Sequence, residues 1–199
     1  MPDICILSAE EARAAIPGLA QVLADCVAGG ASVGFMQPYG PDDAEPYWRD
    51  VADAVATGGN LLLVAKLEGR IVGTVQVGAA QMPNQPHRGD LKKLLVHRSA
   101  RGKGLARLLM DAAEREAASR GKTLLVLDTA TGSDAEAIYP RLGWQRVGVI
   151  PDYALWPEGG FCDTTLFYNT TFVPNVTGWQ TSLAYLNPRV FRLAAEYSW

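Results

Sequence analysis

The stretch that decides the fold is LLVHRSARGKGLARLLMDAAERE, residues 94–116. A short apolar run ends at Val96, and from about Gly102 to Arg120 an amphipathic pattern takes over, with Leu105, Leu108, Leu109, Ala112 and Ala113 on or near one face. Gly121 ends that helix in the usual way. A strand that enters a helix through a glycine-containing turn presents several unpaired backbone N–H groups at one point, and these attract an anion. Gly102 and Gly104 carry no Cβ and let backbone approach a ligand closely, while Arg101, Lys103 and Arg107 add positive charge at the rim. The helix terminus itself contributes only about 0.3–1 kcal/mol, up to ~2 when partly buried, so a multiply charged group such as a pyrophosphate suits it.

Three phosphate readings and a solvated turn compete for Arg101–Ala106. A nucleotide P-loop needs Gly-Lys followed by Ser or Thr, and Gly104 is followed by Leu105. A dinucleotide fingerprint needs a third small residue where Arg107 stands, although Asp128 lies where a ribose-binding acid would be sought. The third phosphate reading depends on what surrounds the turn.

Working outward, Ile4–Leu7 reads as a strand, Ser8 as a helix cap, and the helical pattern that follows is interrupted at Pro17. Gly29-Gly30 stops the helix through Leu19, Val22, Leu23 and Val27, and a second helix carries Tyr47, Trp48, Val51 and Val55. Strands Leu61–Leu67 and Ile71–Ala79 are separated only by Glu68-Gly69-Arg70, a tight antiparallel hairpin. Leu91–Val96 is a strand on which Lys92 and Lys93 mark opposite faces, because side chains alternate. Thr123–Leu127 follows as a parallel neighbour through a right-handed crossover. A short helix over Asp134–Leu142 and strands near Gln145–Leu155 and Thr164–Thr171 complete the order β-α-α-β-β-β-α-β-α-β-β. The fold class expected is α+β, a mixed central sheet with helices on both faces. Residues 1–171 form one domain, and 172–199 an aromatic-rich extension docked on that domain or on a second subunit, which would make a homodimer.

Composition agrees with an enzyme-sized core. Of 199 residues, 48% are hydrophobic and the formal net charge is -3, so no basic field is available to neutralise a nucleic-acid backbone. No window approaches a membrane span, and the start of the chain lacks the basic, apolar pattern of a secretory signal. Cys5, Cys26 and Cys162 are odd in number and widely spaced, which fits packing in a reducing cytoplasm better than disulfides or a metal site.

Arg101-x-x-Gly104-x-Ala106, placed after the strand ending Val96-His97, resembles the coenzyme-A-binding motif of the GNAT superfamily of N-acetyltransferases. The segment Ala135–Trp144, with Tyr139 and Gly143-Trp144, is similar to that superfamily's later alanine, tyrosine and glycine-aromatic pattern. Within it, Gly29–Met36, Gln81–Asn84 and Leu127-Asp128-Thr129 look like the tabtoxin-resistance type. The resemblance implies acetyl-CoA as cosubstrate and no metal. It puts the pyrophosphate on the amides of Gly102, Lys103, Gly104, Leu105, Ala106 and Arg107 beside Arg101, and pairs pantetheine with the peptide groups of Leu94, Leu95 and Val96. Many members carry Asn seven residues before the tyrosine, and here that position is Gly132.

Acetyl transfer to an amine needs a neutral amine and a stabilised thiolate. A lysine-like amine pays roughly 4–5 kcal/mol to be neutral at pH 7, and an α-amine about 1. Asp128, at the carboxyl end of its strand, is the candidate to hold the ammonium and accept its proton, with a helix cap or turn acid as the other reading. Tyr139 is the candidate acid: full transfer from an ordinary phenol to a thiolate is uphill by about 2 kcal/mol, and less as a hydrogen bond. Ser32, Gly34, Phe35, Trp48 and Asn84 are the candidate acceptor pocket, a mixed surface that suits a small amino-acid-like amine, an antibiotic or a toxin. A protein acceptor and a non-catalytic acyl-CoA sensor are the rival functions.

Overall fold

The computed structural model describes residues 2–170 and 172, so the remainder of the expected extension lies outside the described residues. The elements run β1 (Asp3–Ile6), α1 (Ala9–Ala14), α2 (Ile16–Ala28), α3 (Pro41–Ala56), β2 (Asn60–Leu67), β3 (Arg70–Ala79), β4 (Arg88–Val96), α4 (Leu105–Ser119), β5 (Leu124–Ala130), β6 (Gln145–Leu155) and β7 (Phe161–Asn169). They form one seven-stranded mixed sheet in the order β1-β2-β3-β4-β5-β7-β6. This is the expected α+β architecture.

Local chemistry explains the breaks. Ser8 and Glu11 form a reciprocal capping box at α1, and Pro17 sits in the first turn of α2, so the interrupted pattern is two helices. The β2–β3 connection is a two-residue turn in which Glu68 and Gly69 both have positive φ, 50° and 77°, as the twist of a tight hairpin requires. The six residues Asn60–Ala65 are buried on both faces because the sheet lies between two helical layers. Leu61, Leu63 and Val75 meet Leu105, Leu109 and Met110 of α4 on one side; Leu62 and Val64 meet Leu19, Leu23 and Trp48 of α2 and α3 on the other.

Two details correct the sequence reading. Leu108 is 39% exposed, and Met110 and Ala117 take its place on the buried stripe of α4. The expected helix over Asp134–Leu142 is instead a succession of turns ending in a 3-10 turn at Pro140–Leu142. Its N–H groups bond three residues back, Glu136 to Ser133 and Ile138 to Ala135, while the Glu136 carboxylate is drawn off to the Gly132 N–H at 2.6 Å and the Thr165 hydroxyl at 2.7 Å.

The sheet is split where β4 meets β5. Their parallel ladder holds only at Arg88↔Leu124, Gly89↔Leu125 and Asp90↔Val126, and beyond it the strands part. β5 then pairs with β7, and β6 is the outermost strand, exposed along nearly its whole length. Two irregularities interrupt the β6–β7 register, between Arg146 and Gly148 and between Ile150 and Ala154, the second containing Pro151 and a left-handed Asp152 (φ 52°).

Candidate active site

The parting of β4 and β5 opens a cavity of about 770 Å³ that runs from the first turn of α4 to the loop between α2 and α3. Its floor is Leu91–Val96. That segment keeps β3 as a partner on one edge and presents the other edge's peptide groups to the cavity. The side chain of Leu95 is 3% exposed, so its contact with the cavity is through backbone.

At one end, Arg101, Gly102, Gly104, Leu105 and Ala106 line the cavity. Gly102 and Gly104 have φ of 76° and 74°, and a Cβ on either would meet nothing within 4 Å; their glycine identity answers to backbone conformation, not crowding. Gly104 is the N-cap of the fifteen-residue α4 and brings no side-chain cap, which leaves the first N–H groups aimed out of the helix. The Arg101 Nε donates to the Val96 carbonyl at 3.2 Å and ties the turn to the strand. Lys103 faces a separate surface depression, and Arg107 lies 3.8 Å from the exposed Asp111 carboxylate; neither side chain lines the cavity.

In the middle stand Asp128 and Tyr139, both lining it. Asp128 belongs to the run of β5 that has parted from β4, and its Oδ2 accepts from the Thr164 hydroxyl at 3.2 Å. The strand continues to Ala130, so Asp128 caps no helix. Tyr139 is 5% exposed, its ring 5.4 Å from Phe167 and 6.1 Å from Trp144 between centroids. Burial, then the nearby Asp128 charge, push its phenol well above the ordinary tyrosine range, against a smaller opposing effect of a hydrogen bond with Thr129.

At the far end, Ser32 and Gly34 line the cavity, and the loop carrying them is fastened across it: the Ser32 hydroxyl donates to the Leu155 carbonyl and the Gln37 N–H to the Pro157 carbonyl, each at 2.9 Å. Tyr153, Trp156, Cys162, Asp163 and Thr164 complete this end from β6, β7 and their connection. Phe35 stands one layer back, tilted against Tyr39 and edge-to-face with Tyr47. Two expected pocket residues are elsewhere. Trp48 is 1% exposed inside the α2–α3 core, because the helical face that carries it turns toward the sheet. Asn84 is exposed on the β3–β4 connection, outside the cavity.

The sequence reading passed over Lys93. Strand alternation would place it opposite Lys92, but two residues of β4, Lys93 and Leu94, stand against Val75 alone, and this bulge gives Lys93 a left-handed φ of 53°. A non-glycine residue there costs about 1–2 kcal/mol. The bulge carries the Lys93 ammonium to the α2–α3 side, where it donates to the Val33 carbonyl at 2.6 Å and lies 5.3 Å and 5.5 Å from the ring centroids of Phe35 and Tyr47. Burial, then the Lys92 charge, push its pKa below the ordinary lysine value, and Asp128 pulls the other way. A Lys-Lys pair directly before the Leu94–Val96 run was the only available signal.

A split mixed sheet with a glycine-turned helix terminus at one end and a tied-down loop at the other leaves room for a long ligand laid along the split. Residues 32–144 match the family described as acetyltransferase (GNAT) family. An uncharacterized N-acetyltransferase of the hisH-hisA intergenic region of Azospirillum brasilense is 31% identical over 146 residues, 71% of this chain and 85% of that one. Among solved structures, the ribosomal-protein-alanine N-acetyltransferase of Brucella melitensis superposes with a TM-score of 0.70 at 20% identity, covering 84% of this chain and 99% of that one. The Salmonella typhimurium acetyltransferase yncA, solved with its cofactor acetyl-CoA, gives 0.71 at 18% identity over 89% and 98%. The chain belongs to the GNAT family of acetyltransferases, and its acyl donor is acetyl-CoA. Among the described residues no group of three His, Cys, Asp or Glu side chains is arranged to hold a metal, and no helix is long and apolar enough to cross a membrane.

Proposed function

We propose that the chain transfers the acetyl group of acetyl-CoA to the primary amine of a small molecule, an amino-acid-like metabolite, antibiotic or toxin. The observation that carries this reading is the fastened far end: the bonds from Ser32 to Leu155 and from Gln37 to Pro157 close the groove that a protein acceptor would have to thread. In this reading the amides of Gly102, Lys103, Gly104, Leu105, Ala106 and Arg107, with Arg101 beside them, hold the pyrophosphate. The peptide groups of Leu94, Leu95 and Val96 hold pantetheine and the thioester carbonyl, and a backbone N–H there meets the oxyanion as it forms. The amine nitrogen attacks the carbonyl carbon, the C–S bond breaks, the amine's proton leaves through Asp128 or a water, and the departing thiolate is met by the Tyr139 hydroxyl.

The raised phenol makes complete proton transfer costlier than an ordinary tyrosine would, so Tyr139 works as a hydrogen-bond donor in the transition state. Ser32 and Gly34 form the acceptor wall, with Phe35 behind. The resemblance to the tabtoxin-resistance type is supported on the cavity side by Gly29–Gly34; its Gln81–Asn84 part is exposed away from it. Three free cysteines fit the reducing cytoplasm. Thiol release from acetyl-CoA, measured against a panel of small amines and of peptides, tests the assignment. Turnover of small amines and not peptides is expected. Turnover of peptides alone would replace the acceptor class with protein, as the Brucella neighbour's name would have it, and tight acetyl-CoA binding with no turnover would make the chain a sensor.

A further inference from the structure

The acceptor end holds a half-buried lysine, Lys93, that none of the roles above uses. The Lys93 ammonium is bonded to the Val33 carbonyl and lies over Phe35 and Tyr47. Tyr47 is held in turn, its hydroxyl accepting from Gln76 at 3.0 Å, and Gln76 accepting from the buried Asn60 at 2.8 Å. An ammonium has three donor hydrogens and Val33 takes one. Among the described residues, Lys93 is in no ion pair within 4.0 Å. Its strained backbone conformation is what brings it to the cavity at all, and strain of that kind persists where the surroundings over-determine it.

Across the same space stands Asp128, while the Asp163 carboxylate is taken up by the Asp152 N–H at 2.9 Å. The site is therefore dipolar. An acceptor bearing only an ammonium would enter beside a positive charge that no close ion pair neutralises; an acceptor that brings a carboxylate as well supplies that pair.

We propose that Lys93 is the carboxylate receptor of the acceptor site, and that the acetylated amine also carries a carboxylate, bound with its nitrogen toward Asp128 and its carboxylate toward Lys93. This rests on the acetyltransferase reading above and narrows its substrate class to amino acids and amines built like them. Lys93 acts on binding and not on the reacting atoms.

Matched pairs test it: phenylalanine with phenethylamine, tryptophan with tryptamine, histidine with histamine and leucine with isoamylamine, each as acceptor in the thiol-release assay. The wild type should favour the carboxylated member in kcat/KM by on the order of 100-fold. Lys93→Met, which keeps an unbranched apolar stem, should lose most of that preference through the acceptor KM. Its KM for acetyl-CoA and its rate on the decarboxylated amine should stay within about twofold of wild type, or the latter should rise. Lys93→Arg should retain a preference for the carboxylate, and a thermal melt of each variant reports folding. The wild-type panel is informative whether or not a variant folds. Wild-type indifference to the carboxylate overturns the inference and leaves the acetyltransferase reading standing. An equal loss on both members in Lys93→Met overturns it in favour of a structural role. Silence toward every amine and peptide overturns both.

Discussion

Replacing Tyr139 with phenylalanine separates packing from chemistry at one atom. The ring would keep its places against Phe167 and Trp144, at 5.4 Å and 6.1 Å, so the apolar contacts that hold the 132–143 turns to β7 survive. What is lost to stability is one hydrogen bond, with Thr129, worth about 1 kcal/mol. For a chain of this length that is a fall in melting temperature of roughly 2–4 °C. A hydrogen-bond donor that meets charge as it develops in the transition state contributes about 10²–10³-fold, so kcat should fall by that factor, equivalent to roughly 2.7–4 kcal/mol of barrier. The assay is steady-state thiol release at saturating acetyl-CoA and amine, with the KM for acetyl-CoA staying within about twofold. The sign of the pH dependence follows from the raised phenol: its protonated form persists above the ordinary tyrosine range, so Tyr139 adds no alkaline limb up to about pH 10. The acid limb, set by amine deprotonation, should be unchanged in the variant. A kcat within threefold of wild type would remove Tyr139 from the chemistry and leave it as a packing residue.

Gly89→Ala tests the split itself. A Cβ there would lie 2.8 Å from both Leu125 Cδ2 and Val77 Cγ1, so overpacking of about 1–3 kcal/mol is expected, and an unchanged melting temperature would contradict the tight pairing of β4 with β5. Gly104→Ala meets no atom but forces an L residue to φ 74°; a loss of about 1–2 kcal/mol in the melt, with a raised KM for acetyl-CoA, is expected, and a normal KM would move the pyrophosphate elsewhere. Asp25 is pushed up by burial, but the Arg98 N–H and guanidinium, followed by the His97 and Arg98 charges, outweigh that and lower its pKa below the usual value. A depressed folded pKa means stability present above the unfolded carboxylate range and lost as pH falls through the folded value. Asp25→Asn should therefore cost about 1.5–3 kcal/mol at pH 7 and progressively less below about pH 4, read from denaturant melts; a pH-independent difference would refute the assignment.

How much of this was legible depended on how local each cause is. The strand, the Gly102–Gly104 turn and α4 follow from adjacent residues, and so does the Glu68-Gly69 hairpin. Tyr139 was found through the resemblance of Ala135–Trp144 to the superfamily pattern and Asp128 by its place at the end of a strand, and both line one cavity. Asp134–Leu142 misled because its apolar spacing fits a helix, while the contact that decides it, Glu136 with Thr165, spans the sheet. Trp48 was taken for a pocket wall because aromatic character does not say which side of a helix meets the core. Lys93 was hidden by a bulge, and one inserted residue reverses every inference drawn from alternation.

The outermost strand has a consequence for the molecule in a crowded solution. Among the described residues β6 has a strand on one side only and carries exposed Val147, Val149, Ile150, Tyr153 and Leu155, the kind of surface on which a foreign strand could grow. Its register with β7 is cut into Gln145–Arg146, Gly148–Ile150 and Ala154–Leu155, with Pro151 and the left-handed Asp152 in the second gap. Self-templating fibres need six or seven residues in unbroken extension, and the longest regularly paired run along this edge, Gly148–Ile150, is three residues. The irregularities that look like faults in the sheet shorten the paired runs that this edge can offer to a second strand.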